Sequence, residues 1–195
     1  MNIEQYVTAY RADHDRIKAL LPAGYASLRP VLRINVEVCG GAGGFLRLEF
    51  NTPVERAGRR GWLNLITWEN RRGGPAAFAE LTAGTDGTRT AFSARADGGP
   101  LLDIAFVREG RVGGCPREDD NQGTFSLTAA GETAGFRPVE LISAPKEYCG
   151  CTFSWAARAP EGCPPWVRAG MSIPSEMTLG AYVVSFERAD APLRF

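Results

Sequence analysis

The chain has 195 residues, 44% of them hydrophobic, with 22 Lys+Arg balanced by 22 Asp+Glu. That length and composition suit one globular domain over 1–195 with its own core. A formal net charge of zero offers no field to recruit nucleic acid or an anionic membrane, and no apolar run reaches the length of a membrane span.

The opening stretch MNIEQYVTAYRADHD carries charge early and has no apolar h-region, so no secretory signal is expected. The cysteines are Cys39, Cys115, Cys149, Cys151 and Cys163. An odd count without a signal fits reduced thiols and a cytoplasmic protein.

A strand is expected over 3–10, followed by a short helix within DHDRIKALLPAG (13–24). There Ile17, Leu20 and Leu21 recur at helical spacing, Asp13 or Asp15 can cap the start, and Pro22 and Gly24 follow the end. Beyond it the pattern has period two. VLRINVEV (31–38) sets Leu32, Ile34, Val36 and Val38 against Arg33, Asn35 and Glu37. FLRLEF (45–50) sets Leu46, Leu48 and Phe50 against Arg47 and Glu49, and GWLNLITWEN (61–70) alternates likewise. Further strands are expected at 76–82, 89–95, 101–108, 123–128, 137–143, 149–156 and 179–187, with glycine-rich turns between them. The fold class is mainly β (α+β): an antiparallel barrel or sandwich with one or two short helices packed on it.

Several motifs carry less chemistry than they suggest. His14, the single histidine, lies on the polar side of the expected helix, which is a poor place for a catalytic base. CGGAGGF (39–45) lacks the Lys-Ser/Thr of a phosphate loop and leads into a strand, so it reads as a hairpin turn. Cys149 and Cys151 would share one strand face as small core residues, and no metal site is expected. The polar faces carrying Arg33, Asn35 and Glu49 either line an interior or face water; alternation leaves both open.

TAYRADHDRIKALLPAG followed by RPVLRINVEV resembles the acetoacetate decarboxylase superfamily. The likeness continues in order through LEFNTPVE, GWLNLITWEN and RPVELISAPKEYCG. It implies a closed, cone-like antiparallel barrel with helices outside it, subunit assembly, and a reaction that takes place inside without a cofactor. In the family a lysine condenses with a β-keto acid, and the imine accepts electrons as carbon dioxide leaves. A neighbouring lysine and an apolar cavity keep that amine uncharged.

This sequence departs from the pattern. The stretch matching the family's paired lysines, AFAELTAGTDGTRTAF (77–92), has no lysine, and its one cation, Arg89, cannot form an imine. A family glutamate falls at Asn35, and an arginine ahead of the first strand has no counterpart. Glu49 remains as the candidate for handling a proton. Lys146 sits in the late strand, where PK imitates the catalytic dipeptide, and Glu147 would raise its pKa if the two met. Lys18 is expected in solvent.

Three readings follow. The first is a decarboxylase-like barrel that binds a small carboxylate or keto acid beside Arg33, Asn35, Glu49 and Thr67, without imine chemistry. The second is a carbon–carbon lyase with Lys146 as a relocated nucleophile. The third is a structural or interaction module whose barrel is packed solid.

Overall fold

The computed structural model describes residues 1–40, 44–70, 79–96, 99–115, 122–128, 130–138, 144–159 and 161–188. In chain order the elements are β1 (Asn2–Arg11), α1 (His14–Leu20), β2 (Ala26–Ser27), β3 (Val31–Cys39), β4 (Phe45–Arg56), β5 (Arg59–Glu69) and β6 (Glu80–Asp86). They continue with β7 (Arg89–Ala96), β8 (Gly99–Gly113), β9 (Gly123–Leu127), β10 (Thr133–Pro138), β11 (Lys146–Trp155), α2 (Pro165–Met171) and β12 (Met177–Glu187).

The strands form one sheet in the order β10-β9-β5-β4-β3-β1-β12-β11-β8-β7-β6, with β2 added beside β4. The expectation of a closed antiparallel barrel needs correcting on two counts. The pairing of β5 with β9 is parallel, and among the described residues no ladder joins β10 to β6. The sheet is mixed and open. Where β6 approaches β4, the Asn70 side chain stands in for a ladder. Its Nδ2 donates to Leu81 O at 3.2 Å, and its Oδ1 accepts from Leu46 N–H at 2.6 Å.

Aromatic contacts show that the sheet curls. Tyr6 of β1 meets Phe92 of β7 with ring centroids 4.9 Å apart, and Phe50 of β4 meets Trp155 of β11 at 5.0 Å. Along the ladder three strands separate the members of each pair, so both contacts reach across an interior. Leu32, Ile34, Val36, Leu48, Phe106 and Val183 fill that interior and belong to one buried cluster. Between Val36, Leu48, Leu81, Phe92 and Ile104 a cavity of about 10 Å³ remains, space for no more than a single water.

The α2 helix covers one end of this interior. A Cβ on Gly170 would stand 2.8 Å from Phe50 Cε1, and Trp166 Nε1 donates to Leu65 O at 2.8 Å. The α1 helix, capped by Asp13 accepting from Arg16 N–H, lies beside it through Arg16 Nη2 donating to Ser172 O. Between β4 and β5 the turn has positive φ at both Ala57 and Gly58, as a tight two-residue hairpin requires. The parallel rung needs glycine too: a Cβ on Gly61 would stand 2.3 Å from Gly123 O.

Most expected strands lie within a few residues of their place. β4 and β8 run past the clean alternation. The strand expected at 137–143 is centred earlier, at Thr133–Pro138, and residues 139–143 lie outside those described. The strand expected at 76–82 begins at Glu80, with 76–78 likewise outside. CGGAGGF joins the antiparallel pair β3–β4, although 41–43 lie outside the described residues.

Candidate functional site

The face of β3, β4 and β5 that points away from the filled interior is polar, buried along its centre and open to water at Thr67. Register places Asn35 beside Glu49 and Glu49 beside Thr67. In the neighbouring row Glu37, Arg47 and Glu69 lie side by side. A bulge between Phe50 and Asn51 shifts the β4–β5 register, so Asn51 stands opposite Asn64. Asn35 and Glu37 are each 1% exposed, Glu49 is 6% exposed and Asn51 is fully buried. Alternation sends Leu32, Ile34 and Val36 inward and the candidates to the other side, where Asn35 and Glu49 are buried, Arg33 is half-buried and Thr67 is exposed.

Burying polar atoms is costly unless they are paired. Glu37 accepts from Arg188 Nη2 at 2.7 Å, Arg188 Nη1 at 2.8 Å, Arg47 Nη1 at 3.1 Å and Gln5 Nε2 at 3.0 Å. Arg47 Nε also donates to Glu69 at 2.7 Å. Burial works to raise the Glu37 carboxyl, but the Arg188 and Arg47 guanidinium groups outweigh it and hold it below the usual carboxylate range. A second chain runs from Arg33 Nε to Asn51 Oδ1 at 3.0 Å, from Asn51 Nδ2 to Asn64 Oδ1 at 3.1 Å, and from Asn64 Nδ2 to Thr67 Oγ1 at 2.9 Å. The Arg33 guanidinium also stacks 3.7 Å from the centre of the Trp62 ring. Asn35 Nδ2 donates to Glu49 Oε2 at 3.1 Å, while its Oδ1 has no partner among the described residues.

Arg33, Asn35, Glu49 and Thr67 thus share one face, Asn35 touching Glu49 and Arg33 linked to Thr67 through the two asparagines. Lys146 is not brought to them. It lies on β11, and β12, β1 and β3 separate it from β4. Its Nζ sits 5.2 Å from the Tyr148 ring centre and 5.5 Å from that of Tyr182. Glu147 points to the opposite side and accepts from Arg108 Nη1 at 2.7 Å. Arg108 also bonds Glu4 and the Tyr6 hydroxyl, which closes the other end of the interior with a paired cluster. Lys18 is exposed and pairs with Asp15 at 3.0 Å.

His14 is half-buried, with Nε2 3.0 Å from Ser27 Oγ. Cys39, Cys149, Cys151 and Cys163 are free thiols. Burial pushes the Cys39, Cys149 and Cys151 thiols up to about 11, so none of the three is a ready thiolate at neutral pH. Among the described residues no group of three or more His, Cys, Asp or Glu could hold a metal ion, and no helix is long and apolar enough to cross a membrane.

No protein-family model and no curated protein sequence matches the chain. Solved structures do. An acetoacetate decarboxylase from Legionella pneumophila superposes with a TM-score of 0.66 at 13% identity, over 95% of this chain and 81% of that one. The chain has the acetoacetate decarboxylase-like fold. An acetoacetate decarboxylase-like enzyme from Sphingomonas wittichii RW1 superposes at 0.68 with 12% identity, over 94% of this chain and 87% of that one. The enduracididine biosynthesis enzyme MppR, in complex with pyruvate, superposes at 0.61 with 14% identity, over 94% and 84%. Within this fold, sequence reasoning named Arg33, Asn35, Glu49 and Thr67 but missed the roles of Asn51, Asn64, Glu69 and Arg188. The register of Glu37 and Arg47 was visible in the alternation; Arg188 is 151 residues from Glu37, and nothing local signals their meeting.

Proposed function

We propose that this acetoacetate decarboxylase-like protein binds a small carboxylate or keto acid on the buried polar face around Glu49, without imine chemistry. The observation that carries the reading is the position of its two lysines. Neither Lys18 nor Lys146 lies near Glu49, and 77–92 holds none. The ligand class is supported by the pyruvate in the complex of MppR, which shares the fold. Arg33, flat against Trp62, would take the carboxylate; Asn35 and Thr67 would position the rest, and Glu49 would hold or move a proton. We take the chain as one domain over 1–195, working in the cytoplasm, where thiols such as those of Cys39, Cys149 and Cys163 stay reduced.

Calorimetric titration with pyruvate and with acetate tests this. Saturable binding lost in Arg33→Met is expected, with unchanged intact mass after borohydride treatment in pyruvate. A reduced adduct on Lys146 would replace this reading with the lyase. The filled interior favours a second reading, a non-catalytic structural module. Absence of binding to either acid, and of any ligand-dependent rise in Tm, would favour that one.

A further inference from the structure

The unpaired Asn35 Oδ1 narrows the class of acid. Asn35 is 1% exposed, and donation from its Nδ2 to Glu49 fixes which way the amide points. The oxygen is then an acceptor with no donor among the described residues. Its neighbour across the ladder on β1 is Val7, which has no polar side-chain atom. Next to it stands Glu49, which is 6% exposed and only accepts when ionised. Two acceptors side by side in a buried place call for a donor from elsewhere.

A 2-oxo group cannot meet that demand, because it accepts. A hydroxyl or an ammonium at the same carbon donates. The carboxylate of the same ligand is repelled by Glu49 and drawn towards Arg33, two residues along β3 and so roughly 6.8 Å away along the strand. Resting on the reading above, we propose that this face selects small acids bearing a donor at carbon 2, namely 2-hydroxy or 2-amino acids, over their 2-oxo counterparts. The donor bonds Asn35 Oδ1, and the carboxylate lies on the Arg33 side.

The test is a set of calorimetric titrations with L-lactate, L-alanine and pyruvate, repeated in Asn35→Leu. Lactate or alanine should bind at least about tenfold more tightly than pyruvate, and the preference should collapse in the variant. Where Asn35→Leu does not fold, Glu49→Gln serves. It keeps the shape, removes the negative charge, and should weaken alanine more than lactate if the ammonium lies between the two acceptors, or leave a lactate-over-pyruvate preference if the hydroxyl does. Pyruvate binding as tightly as the other two would overturn the selectivity while leaving the acid-binding reading intact. A preference that survives Asn35→Leu would overturn the role of Asn35. No binding by any of the three would sink both.

Discussion

The two faces of the β3–β4 pair are about equally hidden from water but are held by opposite means. The inward face is Leu32, Ile34, Val36, Leu48 and Phe50, packed against aromatic rings from across the curl. The other face is Arg33, Asn35, Glu37, Arg47, Glu49 and Asn51, joined by directed bonds. An apolar face tolerates rearrangement as long as volume is filled. A buried ionic face tolerates little, because each partner removed leaves another charge stranded. Stability therefore depends on both faces, while the ligand proposed above would be recognised by the polar one.

The largest effect should come from the centre of the polar face. Glu37→Ala strands Arg188, leaves Arg47 with Glu69 alone, and should cost about 3–5 kcal/mol by denaturant unfolding. Replacement with Gln tests the charge alone. The Glu37 carboxyl is held below its ordinary 4.5, so its contribution is fully present above that pH and is lost as pH falls through the folded value. Wild-type stability should fall with acid in that range, and Glu37→Gln should flatten this part of the curve. An unchanged acid profile would show that the pair does not tie Glu37 to folding.

On the apolar side a smaller effect is expected from adding a methyl. Gly170→Ala places a Cβ 2.8 Å from Phe50 Cε1, so the ring must move within a filled interior. About 1–3 kcal/mol of destabilisation should follow. Because Phe50 faces away from Glu49, binding of small acids should keep its affinity. A loss of affinity larger than the loss of stability would mean that the two faces are coupled.

The strands were legible because period two survives wherever one side of a strand meets an apolar interior, as in VLRINVEV. What alternation could not reveal was whether the other side is wet. Asn35 and Glu37 look like surface residues in sequence, and their burial depends on partners such as Arg188 that only the fold supplies. The parallel meeting of β5 and β9 also joins distant segments, and its one local trace is the pair Gly61 and Gly123. The α2 helix is seven residues long, too short for a helical period to stand out, though Pro at its first turn is a start signal. Closure of the barrel was inherited from the resemblance, and Asn70 shows what this chain has where β6 nears β4.

The smallest effect should follow loss of the cation whose sequence neighbourhood most resembles a nucleophile's. Lys146 is on the same side of the sheet as Glu49, but β12, β1 and β3 lie between their strands. Its ammonium rests near the Tyr148 and Tyr182 rings, contacts worth about 0.5–1 kcal/mol at a half-exposed site. Lys146→Met keeps the length of the side chain and removes the charge, so unfolding should show a loss of that size or less. Titration with pyruvate or lactate should give the wild-type affinity, since no ligand held at Arg33 and Asn35 reaches β11. If the variant instead abolished binding or turnover, the polar residues of β3 and β4 would be a scaffold, and the chemistry would belong to the region around β11.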